Sequence, residues 1–459
     1  EMCIRDRCEC TSYIATREEV IMLKKIKLYD DQKLIYIVYA VFILAASVAL
    51  TSWATIYQDH IINMILKVLR YASYLGCAIC IALNGVKQKY SKRTACFLTA
   101  MLITAGIAIF TSGERTVFLF VLLLGCVYAS NGKTILKLSC ILQGGVLFVI
   151  ILCAITGITE NLIVDEERMR YSLGFAWASY APNLFLFVSM QYMLLRRNKI
   201  TWLEIIAIEL INIFIFLQTD TKMSFLVLTL LVCVMALNRI VVIRTYLLRV
   251  KQRLFSIERR HLIAVPWICA LLALLLPLYR QDSILWKVLN SGFSGRLLLG
   301  KNAIMNYGFS FLGQKIDMNG FSVLGKNYEV YNYVDSSYLQ IAIRYGIVLL
   351  ALVCVLYGAA LLKARKRKDG MLFLFLIVIL FLCIEEPFLF DVGFNLFPVL
   401  AFCDEDILGE FAFETSHIEE SFIKEPDINE TSVKPYFVKN KSQKRKNNKR
   451  RKKRSKRLI

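Results

Sequence analysis

RQDSILWKVLNSGFSGRLLLGKNAIMNYGFSFLGQKIDMNGFSVLGKNYEVYNYVDSSYLQIAIRYG, residues Arg280 to Gly346, is the one long polar interval between apolar segments in this 459-residue chain. On both sides of it, apolar runs of about 20 residues follow one another, the length a helix needs to cross a hydrocarbon core of about 30 Å. Strands of a β-barrel would alternate apolar and polar residues, and these runs do not. With 57% hydrophobic residues and a mean hydropathy of +0.55, little polar surface remains to cover a single soluble core. The fold expected is all-α, a polytopic transmembrane helix bundle of about 11 to 12 spans with one large extracytoplasmic loop.

The apolar runs predict spans at 34–54, 62–84, 94–112, 117–130, 138–157, 172–195, 201–218, 223–238, 262–279, 337–362 and 371–390, with a short apolar piece at 393–403 as a twelfth. The organisation is then an N-terminal segment 1–33, a bundle of nine spans over 34–279, a loop over 280–336, C-terminal spans over 337–403 and a tail over 404–459. Residues 1–21 have neither apolar span nor periodicity, and Met22 followed by Leu-Lys-Lys-Ile-Lys reads as the native start. Connections rich in Lys and Arg (24–33, 86–93, 196–199, 239–261, 363–368) alternate with short, acidic or mixed ones (55–60, 113–116, 158–171, 219–222). Under the positive-inside rule that alternation puts the N-terminus in the cytoplasm and the 280–336 loop outside. The interval 239–261 is expected as an amphipathic helix on the cytoplasmic membrane surface.

A net charge of +21 suggests nucleic acid until it is located. Fourteen of the Lys and Arg residues lie between Lys434 and Arg457 with no acid among them. No aromatic interleaving accompanies them, so the tail reads as a solvated anchor on anionic membrane lipid, and no nucleic-acid partner is expected. Asp404 to Glu430 carries ten acids and one lysine, and such charge blocks seldom fold alone. The 14 cysteines stand mostly singly in apolar runs, as small buried hydrophobes. Only His60, His261 and His417 are histidines, none in the loop, which argues against a His-based triad or a clustered zinc site. No Walker loop or dinucleotide fingerprint is present, so neither a cofactor nor a metal is expected.

Charged residues inside or at the ends of spans are costly and usually face a protein interior or a wet cavity. With the orientation above, Lys67, Arg70 and Arg344 fall in the outer half of the membrane, beside Arg115, Lys222, Glu385, Glu386 and Asp391. Residues 111–127 also align without gaps to 218–234, placing Arg115 over Lys222 on outward tight turns. One reading is a set of structural ion pairs between helices. The sharper one is a site for a polyanionic group at a lipid head, with Arg115, Arg296 and Arg344 better suited than lysines because guanidinium forks match phosphate oxygens. Glu209 and Asn212 share a face of the seventh span and read as structural. In the loop, Tyr331 and Tyr333 with Tyr338 at its end offer aromatic faces suited to sugar rings, or else an interfacial belt.

At these residues the chain resembles the O-antigen and capsular polysaccharide polymerases of the O-antigen ligase/polymerase superfamily. The order of short motifs carries the likeness: Ser294-Gly295-Arg296 opening a helix, Phe311-Leu312-Gly313, Val334-Asp335-Ser336-Ser337-Tyr338 running into Arg344-Tyr345-Gly346-Ile347, then Glu386-Pro387 and Asn395 to Pro398, over residues 110–400. The turns at Arg115 and Lys222 are similar to the family's as well. The resemblance implies a lipid-sugar glycosyltransferase (GT-C-like) architecture in a bacterial plasma or inner membrane. It implies undecaprenyl diphosphate-linked oligosaccharide as substrate and a chain-length regulator and flippase as partners. Asp335 stands where ligases of the superfamily have a histidine, which favours polymerase over ligase. On this resemblance Arg296, Asp335 and Glu386 are the expected catalytic residues. Arg115, Lys222, Arg344 and Arg70 are expected on the diphosphate, and Tyr331, Tyr333 and Tyr338 on sugar. A lipid-linked oligosaccharide flippase is the rival reading, which predicts midplane binding and broken helices.

Overall fold

The computed structural model describes residues 32–55, 60–165, 168–240, 249, 253, 255–316, 318 and 333–404. The expected leader 1–21, most of the helix expected over 239–261, Tyr331 and the tail from 405 onward lie outside the described residues. The described residues belong to one unit, Glu1–Glu410.

The architecture is helical. In chain order come α1 (Gln32–Val48), α2 (His60–Val86), α3 (Lys92–Ser112), α4 (Thr116–Val127), α5 (Gly132–Ile155), α6 (Tyr180–Arg196), α7 (Trp202–Thr219), α8 (Lys222–Arg239) and α9 (Arg259–Leu275). The polar interval contributes α10 (Ile284–Gly292) and α11 (Arg296–Tyr307), and the chain closes with α12 (Ile347–Lys366) and α13 (Gly370–Leu382). Seven helices are long and apolar enough to cross a membrane, and α1, α4 and α13 are shorter apolar helices. Among the described residues the one sheet is a small antiparallel hairpin, Ile163–Asp165 with Arg170–Tyr171.

Local sequence sets the ends. Ser91, Asn131 and Asp369 cap the first turns of α3, α5 and α13, and Thr201 with Glu204 forms a reciprocal capping box at α7. Outward-facing apolar side chains such as Val68 and Leu75 on α2 and Leu203, Leu210 and Leu217 on α7 remain exposed, as helices in contact with lipid require. By contrast α12 buries 56% of its apolar window and serves as the central helix of the bundle. Glu209 and Asn212 satisfy one another and Thr229 between α7 and α8, with Thr229 donating to Glu209 at 2.7 Å.

The connections sort to two ends. At one, Arg197 pairs with Asp369 at 2.7 Å, Lys363 covers the rings of Tyr128 and Phe402, and the Asp404 N–H donates to the Ser130 carbonyl at 2.8 Å. At the other, Ser52 meets Gly174, Arg170 donates to the Thr219 carbonyl at 2.8 Å, and Arg344 pairs with Glu114 at 2.6 Å. The basic connections 196–199 and 363–368 thus share one end.

Three expected boundaries are corrected. Residues 337–362 do not form one continuous span: a turn of α-helix (Ser337–Gln340) passes into a π-turn (Ile341–Tyr345), breaks at Gly346, and only then does α12 begin. The break has a local cause, since Gly346 sits at φ +106 and a Cβ there would lie 2.5 Å from the Phe311 carbonyl oxygen. Second, the span expected over 371–390 stops as a helix at Leu382. Third, 393–403 supplies one helical turn, Phe397–Leu400, in place of a twelfth spanning helix.

The irregular stretch from Cys383 to Leu396 runs through the protein interior, and its backbone is satisfied by side chains from two helices and by its own Asn395. Gln143 donates to the Gly393 carbonyl at 2.6 Å, Tyr357 to Leu389 at 2.5 Å, and Asn395 to Phe388 at 3.0 Å. Gln143, Tyr357 and Asn395 are all fully buried. Irregular backbone at membrane depth survives only where protein supplies such partners.

Candidate functional site

Ser294 and Gly295 both adopt positive φ (+51 and +84), a tight reversal that ends α10 and starts α11 with Arg296 as its first residue. A cation at a helix N-terminus is unfavourable against the helix dipole and needs carboxylates to offset it. Three are present. The Arg296 guanidinium lies 2.7 Å from Glu386 Oε1, 3.3 Å from Asp335 Oδ2 and 3.9 Å from Glu385 Oε2, and it also donates to the Glu385 carbonyl at 3.1 Å. The carboxylates of Glu386, Glu385 and Asp335 are only 2%, 5% and 14% exposed.

A serine holds these distant pieces together. The Ser337 hydroxyl donates to the Glu386 carbonyl at 2.6 Å and accepts from the Leu389 N–H at 3.1 Å, and the Ser337 N–H donates to Cys383. Asp335, two residues earlier, is thereby fixed against the turn that follows α13. A narrow cavity of about 20 Å³ opens beside the charges, lined by Arg296, Asp335 and Glu385 with Pro277, Phe293 and Leu339. It has room for roughly one water molecule.

One cation among three buried carboxylates leaves an excess of acid. Burial pushes the Asp335 carboxyl up to about 6, against the pull of Arg296 and with repulsion from Glu386. Burial works against the Arg296 charge, but Glu386, Asp335 and Glu385 outweigh it and hold the guanidinium firmly protonated. Such a set can hold a proton near neutral pH and pass it on.

An aromatic wall stands next to Asp335. The half-buried Tyr333 ring lies 5.4 Å from Trp177, Trp177 lies 6.1 Å from Tyr180 in a stacked arrangement, and Tyr180 meets Phe394 edge-on at 5.5 Å. Burial, with the Asp335 charge adding to it, pushes the Tyr333 phenol up to about 12. Tyr338 requires a correction: its ring is fully buried and its hydroxyl donates to the Leu380 carbonyl at 3.0 Å, so it is a core residue and offers no face to a sugar.

The expected cations are distributed, not gathered on Arg296. Arg344 pairs with Glu114 on the α3–α4 turn, next to the exposed Arg115, whose guanidinium reaches the Tyr71 hydroxyl at 3.5 Å. Arg70 donates to Leu66 of its own helix at 3.3 Å. Lys222 is exposed at the start of α8. The expectation of a cation-rich centre is thus corrected at Arg296, where carboxylates outnumber the cation.

Three participants were not assigned from the sequence. In the sequence Glu385 stands only among the charges of the outer half of the membrane, with no role of its own. Trp177 falls inside the span expected over 172–195, but the helix there is Tyr180–Arg196, and residues 172–179 lie outside it. Arg170 acts on Asp335 electrostatically while binding Thr219 and Thr221, so it ties the Lys222 turn to the acidic centre. Compared with known proteins, the chain matches no family model, no curated protein and no solved structure. Its class is therefore defined by its own features, a bundle of membrane-length helices with a buried arginine and carboxylate cluster at one end.

Proposed function

We propose that the protein is a membrane glycosyltransferase that polymerises polysaccharide repeat units of the O-antigen, capsule or exopolysaccharide type. The growing glycan leaves undecaprenyl diphosphate and joins a new lipid-linked repeat unit on the outer face of a bacterial plasma or inner membrane, with the N-terminus in the cytoplasm. The observation that carries this reading is the meeting of Arg296, Asp335 and Glu386 from three separated parts of the chain, beside the aromatic wall of Trp177, Tyr180 and Tyr333.

In this scheme a hydroxyl of the incoming unit attacks the anomeric carbon of the chain. The bond from that carbon to the phosphate oxygen breaks, and its electron pair departs on the diphosphate. The hydroxyl proton passes to a carboxylate of the cluster. Arg296, already matched by acids, orients them, while the exposed Arg115 and Lys222, with Arg344 and Arg70, offset the charge that builds on the leaving diphosphate. Tyr333 and Trp177 supply faces for a sugar ring. The chemistry uses the lipid-linked bond as its energy source and needs neither nucleotide nor metal.

A transporter reading is favoured by one observation, the broken helix at Gly346 beside the irregular interior stretch 383–396, since interrupted helices line substrate sites in transporters. Reconstitution with purified lipid-linked repeat units separates the two. Chain extension supports the polymerase, and movement of the lipid-linked unit across the bilayer without extension supports the transporter. Arg296→Ala with normal membrane abundance and normal polymer length would remove that residue from the scheme.

A further inference from the structure

Glu385 and Glu386 are neighbours in sequence with opposite surroundings. Glu386 gives an oxygen to Arg296 at 2.7 Å and does not line the cavity. Glu385 lines the cavity, is 4% exposed, and neither of its carboxylate oxygens has a hydrogen-bond partner among the described residues. Its nearest cation, Arg296 Nη1, is 3.9 Å away, beyond hydrogen-bonding distance. Asp335, the other acid on the cavity wall, has Oδ2 held by Arg296 Nε at 3.3 Å. A buried carboxylate with no donor is costly, and taking up a proton removes that cost.

We infer that Glu385 is the proton-accepting group of this site, with Glu386 the anchor of Arg296 and Asp335 the residue that positions the acceptor hydroxyl. This rests on the polymerase reading above and assigns its proton step. The acceptor O–H bond breaks and its proton passes, through the one water the cavity has room for, to a Glu385 oxygen, while the acceptor oxygen bonds to the anomeric carbon. The anomeric C–O bond to phosphate breaks and its electron pair leaves on the diphosphate. Glu385 then releases that proton to water through the cavity, one proton for each linkage formed. The charged groups facing Glu385 are Arg296 from α11, Asp335 from the loop before the broken helix, and Glu386 beside it, with Arg170 acting on Asp335 from the hairpin.

The test uses full-length protein in lipid nanodiscs and purified lipid-linked repeat units, with Glu385→Gln, Glu385→Asp and Glu386→Gln variants. Chain-extension rate is measured against pH, and the carboxylic C=O stretch is followed by infrared difference spectroscopy. Glu385→Gln is expected to lower kcat about 100-fold or more with KM unchanged and to flatten the acid limb of the pH profile. Glu385→Asp recovers part of the rate, and the protonated-carboxyl band seen near neutral pH disappears in Glu385→Gln but persists in Glu386→Gln. A Glu385→Gln protein with wild-type kcat and pH profile overturns the assignment, as does a band that survives it. A wild type that shows the band but extends no chain overturns the polymerase reading instead and leaves Glu385 as a proton-holding group.

Discussion

Arg296 and Glu386, 90 residues apart in sequence, meet at 2.7 Å, and this contact joins the polar interval to the interior stretch that follows α13. Glu386 is almost wholly buried, so the pair is an anchor whose two halves depend on each other. Replacing Arg296 by Ala strands Glu386 and Glu385 without a counter-charge. The expected loss is about 3 to 5 kcal/mol, as for other broken buried pairs, read as a lower Tm of detergent-solubilised protein. Arg296→Ala/Glu386→Gln together should cost less than the sum of the two single changes, because the stranded charge is then absent.

Stability should fall as pH rises toward neutrality. Asp335 titrates higher in the folded protein (about 6) than in the unfolded chain. The folded state therefore holds more protons, and the stability this contributes is present below the ordinary carboxylate range and lost as pH climbs through about 6. Thermal unfolding across this window checks it, and Asp335→Asn should flatten the dependence.

Gly346→Ala should be among the most damaging single changes. The residue holds φ +106, and its Cβ would meet Phe311 O at 2.5 Å and Gly313 N at 2.9 Å, which are backbone atoms that cannot swing away. Strain of about 1 to 3 kcal/mol is expected from the backbone conformation alone, before the clash. Expression level and Tm measure it; a variant as stable as wild type would mean that the break between Tyr345 and Ile347 is not required.

Asn395→Ala removes the amide that donates to Tyr357, Phe388 and Leu389. Buried acceptors left without donors cost about 1 to 3 kcal/mol, so Tm should drop while the helices, monitored by far-ultraviolet circular dichroism, persist. Gln143→Leu, which strands the Gly393 carbonyl, should act in the same direction.

Arg344→Ala tests the link between the broken helix and the α3–α4 turn. Arg344 lies 2.6 Å from Glu114, which is itself partly exposed, so the stability change should stay within about 1 kcal/mol. In the proposed scheme chain extension should fall much more than Tm does, because the turn carries Arg115. Equal losses in both would mark Arg344 as a structural residue only.

The apolar runs determined by themselves that the chain is a helical bundle with membrane-length helices, and where most of those helices lie, because crossing lipid demands long runs of apolar residues with internally satisfied backbone. Ser294-Gly295-Arg296 and Val334-Asp335 marked residues that do meet, since a tight turn and a polar motif in an apolar chain are conspicuous. What apolar composition could not show was the break at Gly346 or the end of α13 at Leu382. Phe, Leu and Ile fill a buried irregular segment as readily as a helix, and its hydrogen bonds come from Gln143 and Tyr357 on other helices, from Ser337 and Arg296, and from its own Asn395. Nor could linear sequence rank Glu385 against Glu386, or separate Tyr333 from the buried Tyr338. Which neighbour faces Arg296 and which faces the cavity is decided by the Ser337 clamp, a contact across 49 residues.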